Sequence, residues 1–222
     1  VIDDLGGLDP NITQGEMNQI NKYKKDVDGV TGKNTPNVTQ YGLVHLDGTQ
    51  ATTYARIRKL SGDDFKRASR QRIVLQAMLE KAKKANPATL VKICNSVVDD
   101  ISTTLSLDQM VSLAKDVTKY KINSTTGFPT DLTTKNMPRC GDTVIPADLV
   151  TNVKKLHEYM FDDAAYTPSQ TVQAISETIV NTTGITADSA KINTSDYNET
   201  VGATGTDEIQ KGSETTGGTN VQ

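Results

Sequence analysis

Residues 65–84 constrain this chain more than any other stretch: twenty consecutive positions hold neither glycine nor proline, and strong helix formers dominate. The run predicts a long helix over 64–84. Asp63 and Asp64 stand at its start, where an acidic side chain can cap the free amides and favours the positive end of the helix. Arg67, Arg70, Gln71, Val74, Leu75 and Met78 follow the spacing of one helical face. Three polar side chains are therefore expected at the head of a face that continues as apolar, a placement suited to lining a pocket.

Charge sharpens this reading. Five arginines fall between Arg56 and Arg72, and the segment 54–84 carries ten Lys/Arg against three Asp/Glu, a net of +7. The whole chain is −3, so its other residues sum to −10. Arginine offers a planar fork of donors that matches phosphate oxygens two at a time. A phosphate-bearing anion is the expected ligand, and a solvated basic helix face is the plain alternative. Arg56 and Arg58 are two apart and point the same way only on extended backbone. A helix over 47–54 with an extended exit would aim both at the start of the next helix. Overall acidity, and arginines heading an apolar face rather than exposed lysines interleaved with aromatics, argue against nucleic acid.

Elsewhere the pattern gives a helix-rich α/β chain. A turn or short strand is expected over 6–11, a helix over 14–26, a Gly/Asn-rich loop over 28–36 and a short strand over 43–46. Helices follow over 87–104 and 107–118, then a short strand within 120–128 and another at Val144 and Ile145. The last helices are expected over 147–161 and 168–180, with Thr167 as cap and Pro168 in the first turn. Residues 182–222 are mostly Thr, Gly, Ser, Asn, Asp and Glu, with Tyr197 as the sole aromatic. They bury too little apolar surface to offset ordering, which predicts one domain over 1–181 and a disordered tail over 182–222.

Cys94 and Cys140 fit either a disulfide or two free thiols. His45 and His157 are the only histidines, and no Ser-His-Asp set, zinc spacing or glycine-rich phosphate loop is present. No run approaches the roughly 18 apolar residues of a spanning helix.

Three motifs in order resemble the LytR-CpsA-Psr family of bacterial cell-envelope proteins. The first is Val1-Ile2-Asp3-Asp4-Leu5-Gly6-Gly7-Leu8, an aspartate followed by a Gly-Gly turn. The second is Leu46-Asp47-Gly48-Thr49-Gln50-Ala51, and the third runs Tyr54-Ala55-Arg56-Ile57-Arg58 to Asp64, Arg67 and Arg70-Gln71. The resemblance implies the C-terminal part of an α/β/α domain. Its preceding part, with a Pro-Arg-Asp motif and aspartates that help hold magnesium, is not in this chain. It implies a membrane-anchored parent on the extracytoplasmic face of a bacterial membrane. That parent would transfer a glycopolymer, such as teichoic acid or capsule, from an undecaprenyl-pyrophosphate carrier to peptidoglycan, with Mg2+.

By the same resemblance, Arg56, Arg58 and Arg67 would neutralise the pyrophosphate. Gln71 would bond a phosphate oxygen, with Asp64 and Arg70 in or near the site. No metal ligand is assigned in this chain. The apolar positions Val74, Leu75 and Met78 are candidates to line a groove for the lipid tail, or ordinary core. On this reading the chain alone is expected to be inactive. A non-catalytic module binding anionic polymer or polyprenyl phosphate is the alternative.

Overall fold

The computed structural model describes residues 1–58 and 63–197. The chain enters through a turn closed by Gly6 and Gly7, both at positive φ. Leu8 then exchanges backbone hydrogen bonds with Leu46 at 2.9 and 2.8 Å. β1 (Asn11–Ile12) continues this pairing, antiparallel to β2 (Gly42–Leu43). Thr13 and Glu16 form a reciprocal capping box that starts α1 (Gln14–Thr31). The helix runs past the expected end at 26 because Gly29 stays helical. It is Gly32, at φ 69°, that takes the left-handed closing position.

Residues 33–38, which include the end of the loop expected over 28–36, are strapped onto α1 by polar side chains. Asn21 both donates to the Val38 carbonyl and accepts its amide, each at 2.8 Å. Asp28 accepts the Thr35 amide and hydroxyl, and the buried Lys24 ammonium donates to the Thr35 carbonyl. Asp47 and Gln50 build a second capping box at the head of α2 (Gly48–Ala55), and Gln50 also donates to the Pro36 carbonyl at 3.0 Å.

α3 (Asp63–Lys84) is the long helix the sequence demands. Its buried stripe is Ser69, Arg70, Ile73, Val74 and Ala77, while Leu75 is 60% exposed and Gln71 is exposed. The expected face is therefore rotated: Val74 packs in the core, Met78 lies half-buried against it, and Leu75 faces outward. Val74, Leu75 and Met78 do not form one groove lining. The core joins Leu8, Ile12, Ile20, Leu46, Ala51, Tyr54, Ile57 and Ile73, drawn from β1, α1, α2, α3 and the segments between them.

Beyond it, α4 (Pro87–Val97) starts from an Asn86 cap and gives way to a 3-10 turn at Val98, shorter than the expected 87–104. It packs against α5 (Leu107–Lys115), and neither helix contains a buried residue. Residues 120–128 form no strand; the strand falls instead at β3 (Asp131–Met137), hairpinned to β4 (Gly141–Pro146). α6 (Leu149–Phe161) follows, and its fully buried Asn152 ties it to the sheet by accepting the Asp131 amide and donating to the Asp131 carbonyl, both at 2.9 Å.

α7 (Gln170–Thr183) is capped by Ser169 rather than Thr167, since it is the Ser169 hydroxyl that receives the Val172 amide. β5 (Ile192–Asn193) then adds to the free edge of β3, giving the order β4-β3-β5. Thr194 is buried behind it. The expected disorder from 182 is thus corrected as far as 197. That segment is held by backbone pairing to β3, not by apolar burial, which is why its composition did not show it. Residues 198–222 lie outside the described residues. The fold is α/β and helix-rich, with seven α-helices and two small antiparallel sheets among the described residues. Cys94, half-buried, and Cys140, exposed, are both free thiols. Among the described residues no helix is long and apolar enough to cross a membrane.

Candidate functional site

Arg56 caps the C-terminus of α2, its amide bonded to the Thr53 carbonyl at 3.0 Å. The chain then leaves the helix with Ile57 buried at 3% exposure between the exposed Arg56 and Arg58. Arg56 itself keeps helical backbone, at φ −101° and ψ −3°, so the expected extended exit does not begin there; the buried Ile57 separates two exposed arginines. They line a pocket of about 170 Å³, walled by Thr53 and Ile57 on their own segment and by Tyr23, Asp26 and Val27 of α1. Two arginines lining one concavity suit an anion with several oxygens. Sequence reasoning did not find the α1 wall. Tyr23 and Asp26 stand about thirty positions upstream, in no motif, and only the folding of α1 across α2 brings them there.

The other candidates divide. Arg67 is half-buried on α3 and Gln71 is exposed one turn further on; neither is among the residues lining that pocket. Asp64 lies in the first turn of α3, and its side chain is outside the described residues. Arg70 turns inward: it is 4% exposed, its Nε donates to Glu16 Oε1 at 2.6 Å and its Nη1 to the Ile57 carbonyl at 3.3 Å. Its partner Glu16 carries a sequence signal, as the fourth residue of the Thr13-x-x-Glu16 box, but that signal marks a helix start and not an ion partner.

Arg72, unassigned from sequence, lines a different, largely apolar pocket of about 230 Å³ with Phe65, Phe128, Pro129 and Val144. Burial lowers its guanidinium below the ordinary arginine range. Asp3, in the first motif, is held below the usual carboxylate range by the Lys33 ammonium at 2.6 Å and by the Gly48 amide, also at 2.6 Å. That contact explains the glycine in the second motif. A Cβ at position 48 would stand 2.9 Å from the Asp3 carboxylate oxygens.

As for magnesium, among the described residues no group of three or more His, Cys, Asp or Glu side chains gathers as a metal site. Asp26 is a single carboxylate at the pocket and does not by itself make a magnesium centre. The described residues therefore do not fit a self-contained metal centre.

Residues 1–137 match the model of the LytR_cpsA_psr family. The chain belongs to the LytR_cpsA_psr family. It is 31% identical over 113 residues to the polyisoprenyl-teichoic acid–peptidoglycan teichoic acid transferase TagU of Bacillus mycoides, across 46% of this chain and 37% of that protein. It is 27% identical over 177 residues to the corresponding transferase TagV of Bacillus subtilis, across 76% of this chain and 41% of that one. The crystal structure of B. subtilis TagV is similar with a TM-score of 0.48 and 20% identity, over 75% of this chain and 60% of that chain. The chain thus spans about two fifths of the length of these curated LytR_cpsA_psr relatives.

Proposed function

We propose that this chain carries the arginine-bearing part of a cell-envelope glycopolymer phosphotransferase. The enzyme would move polymer from a polyprenyl-pyrophosphate carrier to peptidoglycan on the extracytoplasmic face of the membrane. One observation carries the reading: Arg56 and Arg58 share a single pocket, in a chain of the LytR_cpsA_psr family whose curated relatives are named as teichoic acid transferases.

In the proposed reaction an acceptor hydroxyl oxygen attacks the phosphorus bearing the glycopolymer. A phosphodiester bond forms, the bridging P–O bond breaks, polyprenyl phosphate leaves with the electron pair, and the hydroxyl proton passes to solvent. Such chemistry asks for charge stabilisation and alignment rather than a covalent intermediate. Arg56 and Arg58 would neutralise the non-bridging oxygens. Arg67 would add a third guanidinium and Gln71 a donor from the head of α3 to substrate that extends beyond the pocket. Asp64, next to this arginine cluster in sequence, would orient one of them.

The test is thermal unfolding with farnesyl pyrophosphate and with inorganic pyrophosphate. At a hundred times Kd a ligand specific for the folded state adds about 2.7 kcal/mol, which for a chain of this size raises Tm by about 5–10 °C. The Arg56→Ala/Arg58→Ala double variant should lose that rise. An equal rise in the double variant, or none in the unsubstituted chain, would refute the reading. A rise produced equally by unrelated polyanions and erased by moderate salt would point instead to a non-catalytic polyanion-binding module.

A further inference from the structure

We propose that Glu16 and Arg70 are positioning residues for the arginine pocket. Their buried ion pair holds the Ile57 carbonyl, and so sets the two guanidinium groups on either side of it. The inference rests on the pyrophosphate reading above but concerns residues that do not line the pocket.

Both side chains are almost wholly enclosed, at 5% exposure for Arg70 and 9% for Glu16. The two carboxylate oxygens are divided. Oε1 accepts from Arg70 Nε at 2.6 Å, and Oε2 accepts the Thr13 amide at 2.9 Å. The Thr13 hydroxyl in turn accepts the Glu16 amide at 3.1 Å. The carboxylate is thereby fixed to the first turn of α1 and cannot swing. Arg70, oriented by it, reaches the Ile57 carbonyl with Nη1 at 3.3 Å. The Ile57 amide donates to the Tyr54 carbonyl at 3.3 Å. Both backbone polar groups of the residue between Arg56 and Arg58 are therefore held.

This chain of contacts links the two walls of the pocket. Glu16 belongs to α1, which supplies Tyr23, Asp26 and Val27; Ile57 belongs to the segment that supplies the arginines. A guanidinium can bond a carboxylate and a carbonyl at a fixed angle because its donors are coplanar; a lysine ammonium has no such fork. An apolar pair of similar volume would also join α1 to α3, often at no loss of stability. It would offer nothing to the Ile57 carbonyl. Arg70, a candidate substrate contact from the sequence, is spent on this internal role.

Glu16→Gln tests the idea, since it removes the charge while keeping the length and an oxygen for Thr13. Calorimetric affinity for inorganic and farnesyl pyrophosphate is measured well below Tm, with amide exchange in segments 56–58 and 73–77. The expected result is at least about a tenfold loss of affinity, as misplaced binding groups are costly, and faster exchange at 56–58 with little change at 73–77. Arg70→Lys should behave alike, and replaces Glu16→Gln should the latter fail to fold. A variant with lowered Tm but unchanged affinity and unchanged exchange at 56–58 would overturn the proposal, leaving the pair as a packing feature alone. If the unsubstituted chain ignores pyrophosphate while exchange at 56–58 still rises in Glu16→Gln, the phosphotransfer reading fails and the hold on Ile57 stands.

Discussion

At Gly7 an added methyl group would stand 2.5 Å from the His45 ring and 2.8 Å from the Leu46 carbonyl oxygen, on backbone at φ +76°. At Gly6 the backbone is equally left-handed, φ +79°, but nothing lies within 4 Å of the added atom. The two alanine substitutions should therefore differ. Gly6→Ala pays the left-handed penalty of about 1 kcal/mol, whereas Gly7→Ala adds a steric clash and costs about 3 kcal/mol. Urea unfolding of both variants checks this, and equal losses would show that the His45 ring and the Leu46 carbonyl both give way freely. The sequence reveals the Gly-Gly turn. It does not reveal which glycine is tight, because the obstacle comes from a residue far along the chain. The place of Arg56 and Arg58 at the end of α2 is legible for the opposite reason: their spacing and the helix end are local facts. The burial of Arg70 is not legible in the sequence, because an arginine beside other arginines gives no sign of a buried carboxylate on another helix.

α3 shows the same limit at the scale of an element. Its length follows from composition and its ends from the absence of breakers, but its rotation does not. Hydrophobic spacing favoured a face through Leu75, whereas the buried stripe admits Ser69 and Arg70 in its first turns. A polar residue is counted as outward unless its partner is known. Ile73→Ala, which empties a site 4% exposed, should cost about 2–4 kcal/mol; Leu75→Ala, at 60% exposure, should stay within about 0.5 kcal/mol. Chemical denaturation of the pair decides between the observed rotation and the one expected from spacing. β3 was missed because Thr133, Thr134, Lys135 and Asn136 offer no alternation, and its second edge is paired by β5, from residues whose composition suggested disorder.

Across the whole molecule, carboxylates join segments distant in sequence. Asp9 meets Lys81 of α3 at 2.5 Å and His45 at 2.8 Å, and these partners hold it below the usual carboxylate range, as Lys33 and the Gly48 amide do for Asp3. A carboxylate whose pKa is lower folded than unfolded contributes its full share of stability above the unfolded value, about 3.9. That share is lost as pH falls through the folded value. Stability should be level with respect to these groups above about pH 5 and decline below about pH 4. Asp9→Asn should make the acid limb shallower in unfolding curves recorded from pH 6 to pH 2; an unchanged limb would exclude Asp9 as a contributor. The strap over α1 has a consequence for chemical modification. Lys22, Lys24 and Lys25 are near neighbours, yet only Lys24 is buried with its ammonium on the Thr35 carbonyl. To an acylating reagent the outer two are open amines and the middle one is masked. The rate at which Lys24 acquires label is thus a clock for the lifting of the 33–38 segment, read by mass alone from an otherwise unaltered chain.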